Sequence, residues 1–336
     1  MIGVKLSLIV RPVDLLSLTL SQMRLSSSML ARYDAIGPWS VQIPDSQAIT
    51  TYFILKGECW FCPSNEAGAV RLREGDMLLI PRWQEHRLCS SLEIPAVSIV
   101  DVAKRTGTPL WNSAQPLVES MVLSDCPKFK SSPDTQMLAM LFKANGRYQE
   151  NLVNCLPPIF HLIADDIEFM GIIDVIRQFV SGEIEVRRSG YAAAGHRMAE
   201  LLLIELLRTV VAQRPVGTSG WLNGLGSPSI AAAMTALQRD PQRRWTLVTM
   251  AREAKLSRSQ FSAQFSRLIG HSVMAYVEGV RIQWATEAIM RGMALKETSD
   301  ALGYATPYGF HKAFVRQLGL PPGEWRKIFL KSHSNA

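Results

Sequence analysis

One short pattern stands twice in this chain, 49 residues apart: Phe261-Ser-Ala-Gln-Phe265-Ser-Arg267-Leu-Ile-Gly270 and Phe310-His-Lys-Ala-Phe314-Val-Arg316-Gln-Leu-Gly319. The register holds past each glycine, where Tyr276 and Trp325 also match. Phenylalanines four apart share one face of a helix, with Leu268 and Leu318 extending it, so that face is buried and the opposite one is left to solvent. Upstream of the first copy, Thr246 to Ala254 reads as a helix and Lys255-Leu256-Ser257 as a turn whose serine caps the next helix. Upstream of the second, Lys296 to Leu302 leads into Gly303-Tyr304-Ala305-Thr306. A helix, a tight turn and a second helix with a polar outer face is the arrangement that offers a recognition helix to the major groove, here twice over.

Charge points the same way. From Ser227 to Ala336 fifteen Lys and Arg stand against seven Asp and Glu, a net +8, while the whole chain carries +7. The basic excess therefore belongs to the repeat region alone. Phosphate contacts supply most of the sequence-independent affinity for DNA, so a locally basic domain beside a nearly neutral one suits a nucleic-acid binder. The competing reading of charge by itself is an ordinary solvated helical surface.

The residues Trp245-Thr-Leu-Val-Thr-Met-Ala251, Leu256-Ser257-Arg258-Ser259, Phe261, Phe265, Gly270, Tyr276, Arg281 and Ala285, then Gly303-Tyr304, Phe310-His311-Lys312-Ala313-Phe314, Gly319, Pro322 and Trp325-Arg326, resemble the AraC/XylS-type DNA-binding domain over roughly 228–329. The resemblance implies two helix-turn-helix units, about 246–269 and 296–318, joined by one long helix of about Ser272 to Met290. A rigid connector of that kind sets two major-groove segments about 34 Å apart. The chain departs from the family where Thr298-Ser299 replace the usual Ile-Ala, which implies preserved packing with some loss of stability.

With Phe261 and Phe265 inward, Arg258, Ser259, Ser262, Ala263 and Ser266 lie outward, and the resemblance places Ser259, Ser262 and Ala263 near base edges. In the second unit Pro307, Tyr308, His311 and Lys312 face outward. Lys312 can donate to guanine acceptors and Tyr308 and His311 to phosphate or base, so the second helix is expected to be the stronger reader. Arg267, Arg281 and Arg316 are open to two roles, contact with phosphate or pairing with a carboxylate inside the domain.

At 336 residues the chain has room for two or three domains. A Gly- and Pro-rich break at 214–227 separates helical segments, with Trp221, Leu222 and Leu225 placed to dock it. Between Trp39 and Val102, β-branched and aromatic runs alternate with turn signals: Ile49 to Leu55, Lys56-Gly57, Glu58 to Phe61, Val70 to Leu72, Glu74-Gly75-Asp76 and Met77 to Ile80. Such spacing predicts a small barrel or sandwich. The stretch Gly75-Asp76 to Pro81 and on to His86 is similar to the second cupin motif, with Trp83 in place of glycine. With Pro38-Trp39 and Leu55-Lys56-Gly57 it resembles the cupin-type sensor of one AraC branch over roughly 12–110.

Cupin enzymes hold a metal with several histidines and a carboxylate. This chain has no histidine before His86 and offers Glu58 alone in the first-motif region, so no metal, cofactor or catalytic residue is expected. His86 is either a hydrogen-bonded residue at the barrel mouth or a polar anchor for a small ligand. Cys59 and Cys62, three apart on a strand, point to opposite faces and make a poor redox pair. Cys89, three residues beyond His86, has the better claim to a lowered pKa if both line the mouth, against the alternative of a small core hydrophobe. The effector-contact candidates are thus Trp39, Glu58, His86 and Cys89.

Five cysteines and no secretory signal favour a reducing compartment, and the apolar start from Met1 to Val10 is too short for a leader or a membrane span. A cytoplasmic, nucleoid-associated protein is expected. Helices are expected from Ser132-Pro133-Asp134 to near Gly146, from Pro157-Pro158 to Ser181-Gly182, and from Gly195 to Gln213. The last has Met198, Leu202, Leu206 and Val210 on one face with Leu203 and Leu207 beside it, suited either to packing within the chain or to a homodimer.

The reading is an α+β chain: a cupin-like sensor barrel at 12–110, a helical linker and dimerisation region at 111–213, an interdomain linker at 214–227 and an all-α DNA-binding domain at 228–329. The expected function is sequence-specific regulation of transcription, as an activator engaging RNA polymerase at promoter DNA, in response to a small molecule or an oxidant. The alternatives are a metal-dependent cupin enzyme with a DNA-binding tail and a constitutive architectural DNA binder.

Overall fold

The computed structural model describes Leu16 and residues 25–45, 48–64, 68–82, 84–111, 117–123, 132–144, 152–166, 170–213 and 220–333. The apolar start, Trp83, Cys126, Gly146 and the first residues of the Gly- and Pro-rich break, 214–219, lie outside them. Two compact units form, one over Gln22–Thr218 and one over Ser219–Ala336.

In the first unit the order is β1 (Leu25–Ala35), β2 (Ser40–Ile43), β3 (Ile49–Lys56), β4 (Glu58–Pro63), β5 (Val70–Arg73), β6 (Met77–Ile80), β7 (His86–Cys89), β8 (Val97–Ser98), α1 (Ile99–Thr106), β9 (Leu117–Leu123), β10 (Thr135–Ala144), β11 (Phe160–Leu162), a 3-10 turn (Ala164–Asp166), α2 (Met170–Val186) and α3 (Tyr191–Gln213). The strands form a six-stranded sheet, β11-β6-β3-β10-β1-β9, and a five-stranded sheet, β5-β4-β7-β2-β8. One core, with Tyr33, Trp39, Tyr52, Phe61, Leu72, Ile80, Leu88 and Met137 in it, is shared by both sheets. The strands expected at 49–55, 58–61, 70–72 and 77–80 are β3 to β6.

Three expectations are corrected. The cupin-like domain does not stop near residue 110: β9 and β10 flank β1, and β10 lies between β1 and β3. The helix expected from Ser132-Pro133-Asp134 is therefore strand β10. From Met137 to Phe142 every residue is at most 7% exposed, because this sheet is covered on both faces. A strand buried on both faces loses its polar alternation, and an unbroken apolar run does not distinguish it from a buried helix. The cover on the second face is α2 and α3, which pack on β1 and β9. Ser28 Oγ lies 2.8 Å from His196 Nδ1, and Arg32 donates to Ser181 Oγ at 3.0 Å. The helix expected from Pro157-Pro158 begins only at Met170, since Phe160–Leu162 adds β11 to the edge of β6. At the β3–β4 turn Gly57 has φ +73°, and a Cβ there would stand 2.2 Å from the Asp134 carbonyl oxygen. No side chain fits that turn.

The second unit is helical: α4 (Gly220–Leu225), α5 (Pro228–Arg239), α6 (Leu247–Glu253), α7 (Arg258–Ile269), α8 (Val273–Met290), α9 (Leu295–Ala301), α10 (Pro307–Leu318) and α11 (Pro322–His333). Part of the expected linker is thus α4, which packs on α5 and α7 with Trp221 and Leu222 buried and Leu225 half-buried. Among the described residues no helix is long and apolar enough to cross a membrane.

Candidate nucleic-acid interface

Each helix-turn-helix unit is assembled by local chemistry. Thr246 caps α6 in a capping box with Thr249, and Ser257 caps α7 in a second one with Gln260. Between them Lys255 sits at φ +55°, with its N–H on the Arg252 carbonyl and the Leu256 N–H on that of Ala251. This is a Schellman termination with lysine where glycine is favoured. In the second unit Gly303, at φ +66°, takes that place, its N–H on Asp300 and that of Tyr304 on Ser299. Thr306 then caps α10, with Pro307 in its first turn. The second turn is one residue longer, since Leu256 alone separates Lys255 from its cap whereas Tyr304 and Ala305 separate Gly303 from Thr306.

The buried stripes hold both recognition helices in place. Phe261, Phe265 and Ile269 are at most 3% exposed on α7, as are Phe310, Ala313 and Phe314 on α10. Leu268 is half-buried, so Ile269, four residues past Phe265, continues the first stripe in its stead. The two later aromatics play matching parts, Tyr276 edge-on to Phe265 at 5.5 Å and Trp325 edge-on to Phe314 at 5.9 Å. Connector α8 is capped by Ser272. At the departure from the family, Thr298 bonds the Ala294 carbonyl at 2.9 Å, while the buried Ser299 hydroxyl has no hydrogen-bond partner.

On the outer faces Arg258, Ser259, Ala263 and Ser266 are exposed and Ser262 is half-buried. Pro307, His311 and Lys312 are exposed, and Tyr308 is 73% exposed. The three arginines separate. Arg267 is exposed and makes no ion pair among the described residues. Arg316 is held by both carboxylate oxygens of Glu278 on α8, through its Nε at 3.0 Å and its Nη2, which pushes its pKa up. Gln317 donates to the same carboxylate at 3.1 Å. Arg281 stacks its guanidinium 5.3 Å from the centre of the Tyr304 ring. The repeat pattern missed Glu278, 38 residues from its partner Arg316, because no local spacing signals such a pair.

The four effector candidates do not form one site. His86 is fully buried. Its Nδ1 donates to the Gln84 carbonyl at 2.9 Å, and its Nε2 lies 2.9 Å from the Tyr52 hydroxyl, with the Phe61 ring at 5.3 Å. Burial lowers its pKa from 6.5 to about 4. Trp39 is 2% exposed, and its indole N–H has no hydrogen-bond partner. Glu58 lies away from them, exposed and bidentate with Arg71, whose hydrogen bonds lower the carboxyl pKa. Cys89 faces away from His86, since residues three apart on a strand point to opposite sides. Burial raises its thiol pKa to about 11, so the lowered pKa expected for it is overturned.

A family model described as a cupin matches residues 14–212, and one described as a helix-turn-helix domain matches residues 250–328. A putative AraC-like transcription regulator of Streptomyces lividans is 28% identical over 94% of this chain and 97% of its own length. An uncharacterized HTH-type transcriptional regulator of Haemophilus influenzae is 25% identical over 87% of this chain and 91% of its own. The crystal structure of ToxT from Vibrio cholerae O395 aligns with 89% of this chain and 96% of its own at a TM-score of 0.32 and 11% identity.

Proposed function

We propose, for a chain that belongs to the AraC-type transcription regulators with an N-terminal cupin domain, that it acts as an activator, reading promoter DNA with α7 and α10 and answering a small-molecule signal held in the first unit. The observation that carries the reading is the polarity of α10. Phe310 and Phe314 are buried on one side, while Tyr308, His311 and Lys312 stand in solvent on the other. On α7 the matching face offers Arg258 together with Ser259, Ser262 and Ala263, and the short side chains of the last three favour close apolar and polar contact over long-range hydrogen bonding. Arg267 is the phosphate contact, and Arg316 and Arg281 serve the domain's own architecture.

A small molecule is favoured over an oxidant because the Cys89 thiol is buried and its pKa lies at about 11, against the thiolate chemistry that oxidant sensing uses. The unpartnered Trp39 N–H supports a polar ligand in the core between the sheets. A regulatory role is favoured over metal enzymology by His86, both of whose ring nitrogens are engaged by Gln84 and Tyr52. A homodimer through the outer face of α3, with Leu201 44% exposed, matches paired DNA sites. The protein works in the cytoplasm, at the nucleoid, beside RNA polymerase.

The test is selection of duplexes from a random pool by the purified protein, followed by nuclease footprinting of the winning sequence. A protected site of two segments about one helical turn apart is expected. Its affinity should fall about a thousandfold between 50 and 200 mM salt if six or more phosphates are neutralised. Enrichment of no sequence, or a flat salt response, would refute the reading.

A further inference from the structure

Two recognition helices read a bipartite site only if their mutual angle is fixed, and the two are fixed by different means. α7 is tied to α8 through the short turn Gly270–Ser272 and the Phe265–Tyr276 contact. α10 reaches the connector through α9 and the longer second turn, so its setting depends on side chains. The apolar part of that contact, Ile282, Ala285 and Ile289 against Phe310, Ala313 and Phe314, resists separation. Smooth apolar faces resist rotation about the helix axis less well. What opposes rotation is directional: Glu278 grips Arg316 with both oxygens and Gln317 with one, and a turn further along α8 Arg281 lies over Tyr304. Bidentate arginine–carboxylate pairs add geometry as well as attraction. The same pair withholds a cation: Arg316, 58% exposed at its side chain, stands on the recognition helix yet has its charge matched within the domain.

We infer that Glu278 is a positioning residue that sets the spacing this protein accepts between the two segments of its DNA site, by clamping α10 to the connector through Arg316 and Gln317 and keeping Arg316 off the phosphates. The inference rests on the DNA reading above. It assigns Glu278 no contact with DNA and gives it control over which duplexes fit.

The experiment measures affinity of the full chain for the duplex selected from the random pool and for the same duplex with one base pair inserted between its protected segments. Glu278→Gln keeps the shape and removes the charge. The ratio of the two affinities should drop about threefold, the size expected of a partly exposed ion pair. Freed Arg316 should also steepen the salt slope by about one phosphate. Arg316→Met breaks the clamp without freeing a cation, so it should relax spacing equally and leave the salt slope no steeper; it carries the spacing test alone if Glu278→Gln does not fold. Unchanged spacing ratios in the folded variants overturn the inference while leaving the DNA reading intact. If the unaltered protein selects no duplex, the DNA reading fails and this inference falls with it.

Discussion

Tyr52 gives its hydroxyl hydrogen to Nε2 of His86 over 2.9 Å, and the same imidazole gives its Nδ1 hydrogen to the Gln84 carbonyl over 2.9 Å. A carbonyl can only accept, so Nδ1 carries a proton, and burial, which lowers the ring's pKa to about 4, keeps it neutral and leaves Nε2 to accept from Tyr52. A second proton is disfavoured by burial: an imidazolium would turn the Tyr52 bond around, with Nε2 donating to the hydroxyl oxygen, and carry its charge in the core.

That ring makes stability pH-dependent. The folded pKa of about 4 lies below the ordinary 6.5. Between those values the unfolded chain binds more protons, so stability is complete above about pH 6.5 and declines as pH falls toward 4. The loss is on the order of 3 kcal/mol. Denaturant unfolding of the first unit, followed by its buried tryptophan signal, should show it, and His86→Asn should flatten the slope. An equal slope in the variant would assign the acid sensitivity to other groups.

Lys312 and Tyr308 should affect binding in different ways. Lys312→Ala is expected to cost about 1–3 kcal/mol on the selected duplex and to relax preference at one base pair. Tyr308, 73% exposed, should when replaced by alanine weaken selected and random duplexes alike if it lies along the backbone. Equal losses on both duplexes for Lys312→Ala would remove it from base reading.

The first turn is strained where the second is not. Lys255 holds φ +55° in the place Gly303 fills in the second unit. Lys255→Gly should therefore stabilise the helical unit by about 0.5–1 kcal/mol, net of the extra freedom glycine gains on unfolding. Thermal unfolding would read it, and a lower midpoint would mean that the lysine side chain makes a compensating contact.

Ser299 predicts a gain of a different origin. Its hydroxyl is buried, 1% exposed at the residue, and has no partner. Ser299→Ala removes that desolvated group and should add about 1 kcal/mol. Thr298→Val should cost stability instead, because the Thr298 hydroxyl bonds the Ala294 carbonyl. Equal effects of the two substitutions would discount this hydrogen-bond accounting.

How legible the molecule was in its sequence depended on the range of the interaction. Caps, turns and stripes in the helix-turn-helix units act over a few residues, so Ser257, Gly303 and the paired phenylalanines announced themselves. The strands at 49–80 alternate with turns and were equally plain. β10 was hidden because burial on both faces erased its alternation, and with it the true extent of the first unit. Cys89 stands three residues beyond His86 on β7 and therefore faces the opposite side, as Cys62 does from Cys59 on β4. The Glu278 clamp spans 38 residues and has no periodic signature at all.

The placement of β10 also bears on how the chain is made. β1, at 25–35, pairs directly with residues 135–144, and β3 pairs with the other edge of the same strand. During synthesis from the amino end, β1 and β3 leave the ribosome well before the strand that joins them. Until then both present open backbone edges and apolar faces, so closure of this unit is a late, non-local event. A fragment ending near residue 110 is frozen at that stage, and aggregation rather than a small soluble sensor is its expected fate.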